Sequence, residues 1–474
     1  MRMACRGKTT VLLGAIILAC TAVPIGVIGP AIRSLRLHKG GTRAARLAAS
    51  AARREGSGSA ARQAEQLDAL GWDGALHQAA QKLPGSVNSK LADTMGSDSG
   101  ATPDGAMPPP AANPPKCADI SSRLAALDAD HAPPLLPHEI DYGWIYNNND
   151  TPGVNYSHMA MIERLPSALP YRFLVTWQAA SRLAGLPDQH IRGAMSEDLW
   201  SWTPSWRLDI PQAGSLWAPV LALDAVQASS EQPRALRLFY AESRACTRSM
   251  PNIEEKVFAP GGDIMMTSSG DGRAWAAPVA VLREGAEGLI PKVVANPPVV
   301  TDSGQWVLPF WREDPGVADC KVGRSPQLSG SLLSADGVHW EVGGDIGSAQ
   351  GLGQTRLLEG AVVRMGGEAV LQLFRSTTGS IYRSSSTDGG RSWSKPRPTA
   401  LPNPNSKIHA IRLSSGLVAL GYNHHTKLED EYGGTRTALW VSISPDGGDT
   451  WITAARLEDS AVPRYKFHYP TLLE

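Results

Sequence analysis

Short apolar or alternating runs recur along the second half of the chain, and each leads into a polar turn. Two of them are Ile381-Tyr-Arg-Ser-Ser and Ala438-Leu-Trp-Val-Ser. A few alternating residues followed by Ser, Asp and Gly are typical of a β-strand that ends in a tight turn. The pattern therefore predicts many short strands rather than helices.

The turn that follows these runs is repeated. Its fullest copy is Ser386-Thr-Asp388-Gly-Gly390-Arg-Ser-Trp393, and the five copies span 196–202, 269–275, 334–340, 386–393 and 444–451. Ser and Asp side chains can bond the backbone N–H groups of a tight turn, and Gly accepts a positive φ. Repeats about 50–70 residues apart with several strands each predict the blades of a β-propeller, with these turns at the blade periphery rather than in catalysis.

Composition divides the chain into two parts. The formal net charge is zero, but residues 1–116 hold 14 Lys and Arg against 7 Asp and Glu, so the remaining body is acidic. Of the 14 Trp residues only Trp72 precedes Tyr142. A Trp-rich, Gly-rich body argues against a helical bundle, and an acidic body argues against nucleic acid as a partner.

The first part contains an apolar segment. Residues 9–32 carry no charge, a length that predicts a membrane anchor within a domain of residues 1–39, although a cleaved signal ending near Cys20 stays open. Residues 40–116 are expected to be an Ala/Arg-rich stalk and Pro-rich linker or a disordered tether, followed by the body at 117–474.

Two signals about the location of the body oppose each other. Seven basic residues follow the apolar segment by residue 54 and three precede it, which by the positive-inside rule favours a cytoplasmic body. The sequons at Asn149 and Asn155 favour a lumenal or extracellular body. We expect a single-pass protein with a lumenal or extracellular body, with secretion as the alternative.

The motifs of several other classes are missing from the sequence. No Cys/His cluster has zinc spacing, so neither a metal nor a cofactor is expected. One disulfide is possible, for example Cys246–Cys320 with Cys117 left over. The body has no Gly-x-Ser-x-Gly and the chain has no phosphate-binding loop, which argues against a serine hydrolase and a nucleotide enzyme.

The repeated turns resemble the Asp boxes of sialidases, and other runs between about 150 and 474 agree. The chain is similar to the sialidase-like Asp-box family of plants, algae and bacteria in the runs that begin at Trp217, Leu238, Pro260, Asn296, Trp306, Leu401, Gly421 and His468. The resemblance implies an all-β, six-bladed β-propeller with the active site on its axis. It also implies removal of a terminal acidic sugar from a glycan, with retention of configuration.

The family's mechanism gives roles to residues of this chain. Sialidases use a Tyr nucleophile, because a carboxylate nucleophile would be repelled by the carboxylate of the substrate. The resemblance assigns the nucleophile to Tyr469 and the general acid to Asp188. Gln354 stands near the position of the Glu that accepts the proton of the Tyr but cannot accept one, so Glu359 or Glu242 is the expected substitute.

The family binds the substrate carboxylate through three Arg residues, and the resemblance carries over two of them. Arg375, expected in the first strand of its blade, and Arg436 match clamp positions. At the remaining position stands His158, which cannot form a bidentate fork but could bind an anion if charged. Asn405 is expected in a loop near the axis, in contact with the sugar.

The chain stops five residues after Tyr469, so the last blade is expected to be incomplete. A strand near Ile140–Tyr146 could form its outer edge. Two functions are therefore weighed: a sialidase-type hydrolase, and a catalytically degenerate propeller that binds glycans or proteins. The oligomeric state is left open by the sequence.

Overall fold

Among the residues that the structure describes, the regular elements are 25 β-strands and two short 3-10 helices, Asn148–Asp150 and Glu284–Glu287. The computed structural model describes residues 17–24, 31–38, 139–224, 236–245, 247–248, 259–287, 290–313, 329–347, 352, 355–426, 436–459 and 465–474, with the backbone only before residue 144 and at residue 465. The three body cysteines lie outside these residues, and so does the predicted stalk and linker.

Five antiparallel sheets are each formed by strands that follow one another in the chain. The first sheet contains β4 (Tyr156–Arg164), β5 (Phe173–Ala180), β6 (His190–Ser196) and β7 (Trp206–Arg207), and the second contains β8 (Ser215–Leu223), β9 (Leu236–Ser243), β10 (Asp263–Ser269) and β11 (Val279–Leu282). The third contains β12 (Lys292–Val293), β13 (Val299–Val300), β14 (Trp306–Arg312), β15 (Ser329–Ser334) and β16 (Glu341–Ile346). The fourth contains β17 (Leu357–Gly366), β18 (Ala369–Ser376), β19 (Ser380–Ser386) and β20 (Arg397–Pro402), and the fifth contains β21 (His409–Arg412), β22 (Val418–Asn423), β23 (Ala438–Ser444) and β24 (Ile452–Asp459). These are blades of a β-propeller, which confirms the predicted all-β class.

The remaining sheet combines strands from distant parts of the chain. Its order is β25 (Tyr465–Leu473), β1 (Ile17–Pro24), β2 (Ala31–His38) and β3 (Glu139–Asn147). β25 contacts both β21 and β4, so it lies between the fifth blade and the first. The blade count therefore differs from the predicted six: five blades are contiguous in sequence. The predicted outer-edge strand near Ile140–Tyr146 is confirmed as β3.

The apolar segment at 9–32, predicted to be a membrane anchor, forms extended strands in its described part. Ile17–Pro24 and Ala31–His38 are strands, and Ile17–Pro24 pairs antiparallel with β25. The physical reason is that β25 presents unpaired backbone groups at its edge, which an extended apolar segment can satisfy. Among the residues described above, no helix is long and apolar enough to cross a membrane.

The second strand of each blade is buried along all or nearly all of its length. All eight residues of β5 and of β9 are buried, whereas the outer strand β16 is largely exposed. A middle strand is covered on both faces because each blade packs against two neighbours. This explains why these strands carry apolar and small residues at successive positions instead of strict alternation.

The repeated Ser-x-Asp turns are structural, as predicted. Each joins the third and outer strands of a blade. In the fullest copy the Ser386 hydroxyl donates to Asp388 at 2.7 Å and accepts from the N–H of Gly390 at 2.9 Å. The carboxylate of Asp388 accepts from the N–H of Ser392 at 2.9 Å. These charge-assisted bonds, outweighing the effect of burial, lower the pKa of Asp388 to about 2.

The Trp that ends each turn packs against the preceding blade. Trp393 of the fourth blade lies in a cluster with Val307 and Leu333 of the third, and its indole N–H contacts the Ser331 hydroxyl at 3.2 Å. Trp451 of the fifth blade packs with Leu371 of the fourth. The Trp residues thus join blade to blade, which accounts for part of the Trp excess.

We expect Trp393→Ala to lower the free energy of unfolding by about 3–5 kcal/mol, because it leaves a cavity between two blades. Denaturant titration of the variant measures this loss. Trp144→Ala is the control, since Trp144 is 55% exposed, and it should change stability little. Equal stability of the two variants would contradict the interblade role of Trp393.

Candidate functional site

Four of the innermost strands carry a non-glycine residue in the left-handed region. These are Met159 in β4 (φ 58°), Ala218 in β8 (φ 48°), Glu359 in β17 (φ 47°) and Tyr469 in β25 (φ 60°). At or next to each of them the strand pairing shifts register, as in a β-bulge. Such residues cost about 1–3 kcal/mol each and concentrate at functional sites, where a bulge redirects a side chain.

The bulges meet on the propeller axis. Met159, Ala218, Leu358 and Tyr469 belong to one buried cluster, although they come from four different sheets. Two of the four bulge residues, Glu359 and Tyr469, are predicted catalytic residues. The backbone distortion and the predicted chemistry therefore coincide.

Arg375 joins these two residues. Its Nη1 donates to the Glu359 carboxylate and to the Tyr469 hydroxyl, each at 3.0 Å, and its Nε donates to the Asn405 side-chain oxygen at 2.7 Å. Burial alone would lower the pKa of Arg375, but the charges and hydrogen bonds of Glu359 and Tyr469 together outweigh it, and the pKa is raised. The guanidinium is thus fixed and charged between a carboxylate and a phenol.

Arg436 supplies the second guanidinium of the site. Its Nη2 donates to the backbone oxygen of Asn405 at 2.9 Å, and its guanidinium carbon lies 5.6 Å from the centre of the Tyr469 ring. Glu359, Arg375, Asn405, Arg436 and Tyr469 are called the axial site below. Two guanidiniums facing one carboxylate give it an excess of positive charge.

Two imidazoles pack against Tyr469. The rings of His158 and Tyr469 are 4.1 Å apart in an edge-to-face arrangement, and the His158 and His468 rings are 5.1 Å apart. Burial, together with the charges of Arg436 and Arg375, lowers the pKa of His158 to about 3. Burial also lowers the pKa of His468. His158 is therefore neutral at physiological pH and cannot supply the charge of a third Arg.

The site also contains residues that the sequence did not single out. Lys407 is 1% exposed, and its ammonium donates to the backbone oxygen of Pro470 at 2.9 Å. Tyr156 accepts from the Gln178 amide at 2.9 Å. Burial raises the pKa of Tyr156. Lys407 lies in the run that begins at Leu401, which resembles the family, but nothing in that run indicated that this lysine is buried near the axis.

The sequence matches the family described as a BNR repeat-like domain over residues 171–474. The chain belongs to this sialidase-like, BNR-repeat family. A search of curated proteins found no match. The family assignment confirms the resemblance that the repeated turns indicated.

Several solved structures are similar to this propeller. A Hadza microbial sialidase is 16% identical with a TM-score of 0.47, covering 65% of this chain and 59% of its own. The NanB sialidase from Streptococcus pneumoniae is 13% identical with a TM-score of 0.47, covering 69% and 64%. A leech intramolecular trans-sialidase is 14% identical with a TM-score of 0.45, covering 69% and 62%. The chain thus spans about three fifths of the length of these proteins.

Other predicted site residues of this BNR-repeat chain lie outside the axial site. Asp188 is exposed in the loop between β5 and β6, where its carboxylate accepts from the N–H of Ser181 at 3.0 Å. The Glu242 carboxylate accepts from the N–H of Gly214 and pairs with Arg244 at 2.8 Å. Glu242 is therefore engaged within the second blade, and of the two expected substitutes only Glu359 lies at the axis. Gln354 lies outside the described residues.

Arg375 differs from the prediction in one detail. It lies at the end of β18, the second strand of its blade, because β17 precedes it as the innermost strand. From that position the side chain reaches inward to Glu359 on β17.

Among the described residues no cluster of His, Cys, Asp and Glu could hold a metal ion. The axial site is instead suited to a ligand that carries a carboxylate.

Proposed function

We propose that this BNR-repeat protein is a sialidase-type glycoside hydrolase that removes a terminal acidic sugar from glycans with retention of configuration. The observation that carries the proposal is the Arg375 guanidinium, which lies 3.0 Å from both the Glu359 carboxylate and the Tyr469 hydroxyl. The proposed nucleophile, proton acceptor and substrate-binding cation thus lie close together, which supports the proposal.

The electrostatics of the axial site support an anionic sugar. Arg375 and Arg436 would bind the substrate carboxylate through charge-assisted hydrogen bonds. The neutral phenol of Tyr469 can approach such a substrate, whereas a carboxylate would be repelled. Asn405 and the neutral ring of His158 would contact the sugar by hydrogen bonding and packing.

The proposed reaction proceeds in two displacements. The Tyr469 oxygen attacks the anomeric carbon as its proton passes to Glu359, and the bond to the leaving glycan breaks as Asp188 protonates the departing oxygen. For this step the loop of Asp188 would have to bring its carboxylate from the N–H of Ser181 to the axial site when substrate binds. A water molecule, deprotonated by Asp188, then displaces Tyr469, which regains its proton from Glu359. Two inversions give net retention, and the free sugar is released.

We also propose that the sheet around β25 serves as a sixth blade. β25 lies between β21 and β4, and its bulge supplies Tyr469. Deletion of residues 1–38 would remove two of its four strands. The proposal predicts that this deletion lowers the melting temperature and any turnover together; unchanged values would contradict it.

An assay of the complete protein against a fluorogenic sialoside and a panel of other acidic and neutral glycosides tests the enzyme proposal. We expect turnover of an acidic glycoside only. Absence of turnover on the whole panel by folded protein would contradict it.

A second candidate is a propeller that binds glycans or proteins without hydrolysis. Two observations favour it: His158 is neutral where the family has a charged Arg, and Asp188 is bonded within its own loop. Binding to a glycan array without hydrolysis would support this candidate.

We propose that the propeller lies on the lumenal or extracellular side. Asn149 and Asn155, the two sequon residues, are both exposed, as glycosylation requires. After expression in a eukaryotic secretory system, glycosidase treatment should shift the gel band of the parent chain. The band of the double variant Asn149→Gln with Asn155→Gln should not shift. An unshifted band in the parent chain would contradict this location. The anchoring role predicted for residues 9–32 is the alternative to the strands Ile17–Pro24 and Ala31–His38, because the same residues cannot both cross a bilayer and complete the blade.

A further inference from the structure

Each strained bulge on the axis is bonded by a side chain from the preceding sheet of the ring. A hydroxyl, two amides and an amine supply these bonds. The Thr471 hydroxyl donates to the Ala160 backbone oxygen, and the Gln178 side-chain oxygen accepts from the Ala218 N–H, both at 2.8 Å. The Asn296 amide donates to the Glu359 backbone oxygen, and the Lys407 amine donates to the Pro470 backbone oxygen, both at 2.9 Å. The recurrence indicates that the bulges are held from outside their own strands, because a bulge breaks the ladder bonds that would otherwise fix it.

The bulge at Tyr469 has the greatest need of such a bond. Tyr469 has a positive φ, and the ring of Pro470 further restricts the conformations open to the residue before it. Pro470 has no N–H, so its carbonyl is its one polar backbone group. Lys407, in the loop that precedes β21, donates a hydrogen bond to that carbonyl oxygen.

Other bonds between β25 and the fifth blade act on residues to either side of this peptide, and Arg436 also contacts the His468 ring at 3.3 Å. The side chain of Asn423 donates to the Phe467 oxygen at 2.7 Å, and the imidazole of His409 accepts from the N–H of Leu472 at 2.9 Å. They hold the strand on either side of Tyr469. Lys407 alone among these contacts bonds the residue that follows the bulge directly.

Burial of a lysine at this position costs desolvation free energy, which argues that the residue has a specific role. Lys407 is 1% exposed, and burial lowers its pKa to about 7, although the charge of Glu359 acts in the opposite direction. Lys407 also contributes to the lowered pKa values of His158 and His409. Its amine is therefore close to the axial site from the side of the fifth blade.

We propose that Lys407 is a positioning residue that fixes the Tyr469–Pro470 peptide and thereby holds the Tyr469 hydroxyl against Arg375. The proposal rests on the proposed function for its kinetic consequence but not for its structural one. Lys407 forms no bond in the reaction; it acts through Tyr469.

The test compares Lys407→Met with Lys292→Met in the full chain. Lys292 in β12 is the matched control, because it too is fully buried and donates to a backbone oxygen. Its acceptor, at 2.8 Å, is the backbone oxygen of Glu284, which precedes the third blade. In both variants 3-fluorotyrosine replaces Tyr469, and its ¹⁹F resonance reports the ring's surroundings. We expect Lys407→Met to shift or split the resonance and Lys292→Met to leave it unchanged.

Kinetics on the natural-tyrosine variants give the second measurement. We expect Lys407→Met to lower kcat roughly 10- to 100-fold with KM within about threefold, because a displacement of about 1 Å has effects of this size. Lys292→Met should keep the parent kcat. An unmoved ¹⁹F resonance in Lys407→Met, or an equal loss of kcat in both variants, would overturn the proposal. Absence of turnover in the parent protein would contradict only the proposed function, since the ¹⁹F comparison still decides the role of Lys407.

Discussion

Tyr469→Phe is expected to lower kcat roughly 10³-fold or more on any glycoside that the protein hydrolyses, because it removes the proposed nucleophile. The phenyl ring would keep its contacts with His158 and Arg436, so the variant should stay folded. Measurement of kcat and melting temperature for the same preparation separates lost chemistry from lost structure.

Tyr422→Phe is the matched control for this change. Tyr422 is fully buried in the fifth blade, and its hydroxyl bonds the Ser442 hydroxyl and His424 away from the axial site. It should lose some stability and keep its kcat. Turnover by Tyr469→Phe at the parent rate would exclude Tyr469 as the nucleophile.

Arg375→Lys is expected to lower kcat/KM roughly 10²- to 10³-fold, equivalent to about 3–4 kcal/mol. The reason is geometric: one ammonium cannot replace a planar fork that bonds Glu359, Tyr469 and Asn405 together. Both binding and the chemical step should suffer, so KM rises and kcat falls. Steady-state kinetics over a range of substrate concentrations measures the two effects.

Arg237→Lys provides the comparison for Arg375. The Arg237 side chain is 9% exposed against 14% for Arg375, pairs with Asp224 at 2.9 Å and packs on Trp306, outside the axial site. A loss of kcat/KM in Arg237→Lys as large as in Arg375→Lys would mean that buried arginines support the fold and not the reaction.

Much of the fold could be predicted because its signals are local. The Ser-x-Asp turns repeat at the outer end of each blade, and their hydroxyl, carboxylate and glycine act within a few residues of one another. A turn of this kind is readable from sequence alone. The pairing of β1 with β25 was not predicted, since it joins residues more than 440 positions apart and depends on an open sheet edge.

The axial site could be predicted in part, through the family resemblance. Tyr469, Glu359, Arg375, Arg436, His158 and Asn405 are brought together at the axis. The neutrality of His158 and the role of Lys407 escaped prediction because burial decides both. Burial depends on how six sheets meet, and no spacing in the chain reports it.

Trapping of the glycosyl-enzyme is the most direct test of the proposed mechanism. An acidic fluorosugar, whose fluorine slows release from the enzyme, would be incubated with the complete protein, and the peptides would be mapped by mass spectrometry. The proposed mechanism predicts one added sugar on Tyr469 and none in Tyr469→Phe. An adduct on Glu359, or turnover of substrate with no adduct on Tyr469, would contradict it.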